Sequence, residues 1–245
     1  MSQALVIMRR ELRSYFGSPI AYVFGALFLA VQLWLATLTT WKHGGIASMQ
    51  AFFQAFLPWT FMVFVSALTM RLWAEERKLG TLELLMTFPV RVRELIAGKF
   101  LAVLAYLALM LLLTLGFPIT LAIFGTLDWG PVLCAYLASL LLASAFTAVG
   151  MFFSSVTRDQ IIALLATLVT LMLLLVIGHP VVTELMSGAL PRWLVEGVAS
   201  ISPSPYFASI ARGVLDTGDI VYYLCFTGFF LYLNGLVLQG RRLKG

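Results

Sequence analysis

LIAGKFLAVLAYLALMLLLTLGFPITLAIF, residues 95–124, decides the class of this chain. The stretch is thirty residues long and carries a single charge, Lys99. A helix needs about 20 apolar residues to cross a hydrocarbon core of roughly 30 Å. The run has no period-2 alternation, which argues for a spanning helix and against a barrel strand. Pro118 lies inside it and predicts a kink, because neighbouring helices in a membrane can satisfy the carbonyl that a proline frees.

Five more segments of the same kind flank it: Ile20–Thr40, Phe52–Trp73 with Pro58 inside, Pro131–Ser155, Ile161–His179 and Ile220–Leu238. Of the 245 residues, 61% are hydrophobic and 11% charged, and the mean hydropathy is +0.98. A soluble domain carries about 25% charged residues, so this chain has too few to cover its own surface in water. Disorder is excluded because it requires low hydrophobicity. The expected fold is an all-α membrane protein, one domain over residues 1–245, with spans at 20–40, 52–73, 95–124, 131–155, 161–179 and 220–238.

The net charge of +5 reads as topology rather than as a nucleic-acid surface. With a cytoplasmic N-terminus, thirteen of the sixteen Lys and Arg residues fall inside, and only Lys42, Arg192 and Arg212 fall outside. That is the positive-inside bias, and it places both termini in the cytoplasm after an even number of spans. The first apolar run is longer than a signal-peptide h-region of about 7–15 residues, so it reads as a retained span. Cys134 and Cys225 lie in apolar runs without C-x-x-C spacing and read as packing groups.

Four segments lie outside the spans. In residues 2–16, Leu5, Met8, Leu12 and Tyr15 share one helical face, while Val6 and Ile7 fall off the stripe. Arg9, Arg10 and Arg13 lie beside that face, which suits a helix in the cytoplasmic interface, and Phe16 and then Gly17-Ser18-Pro19 end it. The loop 71–99 holds ten of the 27 charged residues. There Gly80 ends one helix, Thr81 is a plausible N-cap for the next, Glu83 sits where the helix dipole favours an anion, and Pro89 stops it. Leu82, Leu84, Leu85, Met86 and Phe88 are too apolar for a bare loop, so a docking surface is expected. The turn 154–160 is a connector or a second contact. Residues 180–219 are too long for a structureless loop and predict amphipathic or re-entrant helices on the outer side, with Trp193 and Tyr206 at headgroup depth.

The chemistry that is missing is informative. The only Gly-Lys pair, Gly98-Lys99, lacks the remainder of a P-loop. His43 and His179 are isolated, so no metal site is expected, and Glu184 and Glu196 read as solvated helix faces. Ion-coupled carriers need ionisable groups inside the membrane, and the six spans offer essentially none. Movement of a cargo against a gradient therefore needs energy from a partner.

Residues Glu75-Glu76-Arg77-Lys78-Leu79-Gly80-Thr81-Leu82-Glu83-Leu84-Leu85, then Pro89, then Gly98-Lys99-Phe100, resemble the cytoplasmic loop of ABC-2 type transporter permeases. Val90 stands where a polar capping residue is common in that family. Residues 10–23, with Arg10, Arg13, Tyr15 and Phe16, resemble the start of the gliding-motility-associated subgroup. Residues 202–224, with Pro203, Tyr206, Arg212, Gly213 and Asp216, resemble its last external segment and span.

The resemblance implies a six-helix permease with an N-terminal connecting helix (residues 1–18) and a coupling helix in the loop 74–94 that docks on a separate ABC ATPase. ATP and Mg would be bound by that ATPase, and this chain would hold no cofactor and lack enzymatic activity of its own. A second permease copy or a related permease, the lipid bilayer and an accessory membrane protein with a large external domain are the other implied partners, in a bacterial inner membrane. Nucleic acid is not among them. Two function classes remain open: ATP-driven movement of a substrate, and mechanical work on a periplasmic partner with nothing crossing.

Overall fold

The computed structural model describes residues 3–42, 49–82, 91–124, 127–188 and 191–242. All the regular structure among them is helical. In chain order the helices are α1 (Gln3–Gly17), α2 (Pro19–Lys42), α3 (Gln50–Ala55), α4 (Leu57–Thr69), α5 (Arg71–Lys78), α6 (Val92–Thr114), α7 (Gly116–Phe124), α8 (Trp129–Val156), α9 (Gln160–Ile177), α10 (Pro180–Ser187), α11 (Arg192–Ala199), α12 (Pro203–Ala211) and α13 (Thr217–Arg242). Six stretches are long and apolar enough to cross a membrane: Ala21–Leu38, Leu57–Lys78, Val92–Ile123, Trp129–Val156, Gln160–Ile177 and Thr217–Gly240. The protein is a multi-pass, all-α membrane protein.

α8 is the centre of the bundle and packs against α4, α5, α6, α9, α12 and α13. Its sequence explains this place. Ala135, Ala138, Ser139, Ala143, Ala145, Ala148 and Gly150 are all buried. Small side chains let neighbouring backbones come close, which is how helices gain packing energy when lipid supplies no hydrophobic drive. At Gly150 the approach of Thr69 from α4 leaves no room for a Cβ. Peripheral faces show the opposite composition. Leu27 and Trp34 on α2, Ile161, Leu165 and Leu173 on α9, and Leu224, Phe229 and Tyr232 on α13 are exposed, as lipid-facing side chains would be.

Both span prolines follow one-residue interruptions of otherwise helical backbone. The chain breaks at Phe56, and Pro58 occupies the first turn of α4. It breaks again at Leu115, and Pro118 falls in the first turn of α7. A proline there loses nothing, because first-turn N–H groups have no intrahelical partner. The discontinuity that sequence did not foretell lies at Met70, between α4 and α5, with no proline nearby.

One end of the bundle is polar and basic: it carries α1, α5, the start of α6 and the end of α8. The opposite end carries α3, α10, α11 and α12. There Ser202 and Ser204, at the start of α12, donate to the carbonyls of Leu174 (2.6 Å) and Leu175 (3.2 Å) near the end of α9. These carbonyls belong to the last turn, where intrahelical donors run out. Tyr206 stacks on Tyr222 of α13 at 4.0 Å, and the Tyr223 hydroxyl donates to Pro203 O at 2.8 Å. The short helix α12 is thus pinned onto α9 and α13.

Candidate functional site

The charged loop is approached through α5. Within this helix Arg71 pairs with Glu75 at 3.3 Å. Its end is closed by Leu79 N–H on Glu75 O at 3.0 Å and Gly80 N–H on Arg77 O at 3.3 Å. Gly80 has φ +70°, a left-handed conformation that any side chain would strain. The Thr81 hydroxyl then donates back to Glu76 O at 3.2 Å, and Leu82 is buried. Glu83, Leu84, Leu85 and Pro89, with the expected coupling helix, lie outside the described residues.

At the start of α6 sits a charge cluster. Lys99, on the second turn of α6, is 2% exposed. Its ammonium donates to Glu76 Oε1 at 2.8 Å and to Glu11 Oε1 at 3.2 Å and lies 5.1 Å from the centre of the Trp73 ring. A lysine is almost never this buried unless paired. One cation thereby holds α1, α5 and α6 together. Gly98 beside it makes the contact possible, since a Cβ there would meet Ile7 Cβ at 2.7 Å and Ala4 O at 2.9 Å. Ile7, off the apolar stripe in sequence, therefore lies directly against α6. Leu12 and Tyr15 of the predicted stripe pack on the core as well, whereas Leu5 is exposed, so the contact face is shifted toward Ile7 and Glu11.

A crevice of about 320 Å³ opens over this cluster, its charged lining balanced between Arg10, Arg71 and Lys99 and Glu11, Glu75 and Glu76. Arg9, Arg10 and Arg13 are exposed on the outside of α1. Tyr15 stacks on Tyr106 at 5.9 Å. Burial, and then the Glu11 carboxylate, raise the Tyr15 hydroxyl well above the ordinary phenol range, so it stays neutral. Phe16 packs edge-on to Tyr22 at 6.3 Å. Glu75 and Glu76, the first residues of the stretch that resembles the family loop, are thus engaged inside the chain, and Glu75 keeps a 41% exposed side chain.

α5 is tied to α8 as well. Ser154 Oγ of α8 accepts from Trp73 N–H (3.0 Å) and Ala74 N–H (3.2 Å) and donates to Met70 O (3.0 Å). Met70 keeps helical dihedrals, yet a hydroxyl from another helix stands in the ladder where Ala74 N–H would meet Met70 O. Such insertion is a known cause of helix breaks. One turn on, Arg77 Nη1 donates to the carbonyls of Ser155 (3.2 Å), Val156 (2.8 Å) and Thr157 (2.6 Å). It caps α8 where the helix dipole favours a cation.

Sequence reasoning singled out Glu76, Gly98 and Lys99 but missed Glu11 and Trp73 as partners of Lys99, and missed Arg77 and Ser154 as the ties between α5 and α8. For Glu11 there was a signal, the lone acid of a basic helix. Ser154 stood at the start of the turn 154–160, read as a connector or a second contact, but nothing in sequence marked its hydroxyl as the partner of α5.

The external candidates sit at the opposite end and do not join this cluster. Arg212 Nε donates to Ala208 O at 3.1 Å, Gly213 has φ +93°, and Asp216 Oδ1 caps α13 by accepting from Gly218 N–H at 3.0 Å. With Pro203 and Tyr206 they shape α12 and its exit. A cleft of about 860 Å³ lies between α4, α9, α11 and α12, with Arg212, Glu196 and His179 on its wall. Among the described residues no three His, Cys, Asp or Glu side chains come together in a way that could hold a metal.

The comparison with curated proteins finds no match. A family model described as "ABC-2 family transporter protein" matches residues 50–201, the span from α3 to the turn before α12.

Proposed function

This chain belongs to the ABC-2 family of transporter proteins, and from that membership we propose that it is the permease subunit of an ATP-driven complex whose loop 79–91 receives the force. The family implies a cytoplasmic ABC ATPase as partner and the bilayer as solvent. ATP and Mg belong to that ATPase. The basic end faces the cytoplasm of a bacterial inner membrane, as the thirteen-to-three charge asymmetry argues.

The observation that carries this reading is the tethering of α5 immediately before the loop. Lys99 joins it to α1 and α6. Ser154 and Arg77 join it to α8. A displacement of the loop is therefore delivered to three helices at once, and α8 contacts most of the bundle. Packed helices shift as bodies rather than deform continuously. Leu84 and Leu85 would fill an apolar groove of the ATPase, Glu83 would begin the docking helix and Pro89 would end it. The subgroup assignment to gliding-motility-like permeases rests on residues 10–23 and 202–224, which lie on α1–α2 and α12–α13, and it leaves the cargo open.

The test replaces Thr81–Leu85 by a polar linker of equal length in the full chain expressed with its ATPase. Loss of co-purification and of permease-stimulated ATP hydrolysis is the expected result. Retention of both would overturn the assignment.

A further inference from the structure

Gln32 lies in the middle of the first span, about 20 Å along α2 from Pro19 at a rise of about 1.5 Å per residue. It is 2% exposed, and neither its amide nitrogen nor its amide oxygen has a hydrogen-bond partner. In a soluble core an unsatisfied buried amide is costly, and in hydrocarbon the penalty is several kcal/mol. Spans elsewhere in this chain place Ser and Thr at buried positions, where the hydroxyl can bond back to its own helix, as Ser66, Thr69, Ser139 and Thr167 do.

Gln32 lines a cavity of about 370 Å³ between α2, α3, α6–α7 and α8. That volume is within the range of about 300–1,000 Å³ typical of small-molecule sites. The floor is closed by Ala36, Met49 and Phe52, all under 5% exposed. Its rim is not: Leu33 and Leu113 are 56% and 55% exposed. The opening is therefore sideways, through apolar residues, toward lipid. On the inner wall the Thr114 and Tyr136 hydroxyls pair at 3.0 Å, giving a second polar point. No charged residue lines it.

We propose that this cavity is a binding site for an uncharged amphiphile that enters from the bilayer with its polar group first, the buried Gln32 amide turning out of its packed position to hydrogen-bond it. The class is a molecule with an apolar body and one neutral hydroxyl, ester or amide group. A glutamine amide offers a donor and an acceptor to such a group. A phosphate or carboxylate would meet no cation there and would remain at the membrane surface. The site lies away from the α5 loop, so it stands whether or not the coupling assignment holds.

The test uses the purified full chain in lipid nanodiscs with three photoactivatable diazirine probes of one acyl length: a monoacylglycerol, a phosphatidylcholine and a hydrocarbon. The monoacylglycerol is expected to label peptides from α2 and α6–α7, with Ala36→Phe removing the labelling and Leu27→Phe, on the outer face of α2, leaving it intact. Gln32→Leu is expected to reduce labelling by two- to tenfold, the worth of one neutral hydrogen bond, with no fall in melting temperature, since an unsatisfied amide is removed. Thr114→Val is the second variant if Gln32→Leu does not fold; the same reduction in labelling is expected, here with some loss of melting temperature, because the Tyr136 hydroxyl loses its partner. Equal labelling by the phosphatidylcholine or the hydrocarbon, or labelling indifferent to Gln32 and Ala36, would overturn the proposal.

Discussion

Lys99 shows how much of this protein's behaviour rests on single side chains. A buried ion pair is a weak source of net stability, because desolvation offsets the attraction, but removal of one partner leaves an uncompensated charge. Lys99→Met is therefore expected to destabilise the chain by about 3–5 kcal/mol, read as a fall in melting temperature in detergent. Adding Glu76→Gln should restore part of that loss, since it removes one of the two orphaned carboxylates. Lys99→Arg should not substitute fully, because a planar guanidinium cannot reproduce the point-charge contacts that the ammonium makes to Glu11, Glu76 and the Trp73 ring. An unchanged melting temperature in Lys99→Met would show that the cluster does not hold α1 to α6.

Among the helices, the α4–α5 junction is the element whose geometry depends on a neighbour. Its ladder is completed by Ser154 rather than by its own backbone. Ser154→Ala removes one donor and one acceptor at once and leaves buried groups to find other partners, for about 1–3 kcal/mol. Amide exchange at Trp73 and Ala74 is expected to accelerate roughly 5- to 150-fold, with little change at Phe61 or Val65 earlier in α4. Uniform acceleration along α4 would mean global destabilisation and would remove Ser154 from the role of junction. The junction was illegible in sequence because insertion of a hydroxyl into a helix ladder needs two helices in register. The proline breaks were legible: Pro58 and Pro118 marked the places where the helices are interrupted, at Phe56 and Leu115.

Taken as one body, the molecule is polarised. Its basic end gathers α1, α5 and the loop, and its opposite end gathers α10–α12. Orientation in the membrane is testable on exposed positions at each end. In a background with Cys134→Ala and Cys225→Ala, Arg192→Cys is expected to react with a membrane-impermeant maleimide in intact cells. Lys78→Cys should react only after permeabilisation. The reverse pattern would invert the topology and place the coupling loop on the wrong side for an ATPase.

Sequence sufficed for the solvent, the helix class and the number of spans, because these follow from length and continuous apolarity, which are properties of local stretches. It sufficed also to mark the charged loop and the pair Gly98-Lys99, since charge is conspicuous where it is scarce. What needed the tertiary structure was every partner. Glu11 and Glu76 lie 65 residues apart in the chain, and they meet on Lys99 only because Gly98 lets α1 lie against α6. Gln32 reads in sequence as one more polar residue in a span. Its burial against a cavity is decided by α2, α3, α6–α7 and α8 together, because a cavity is a property of the space between helices and not of any one of them.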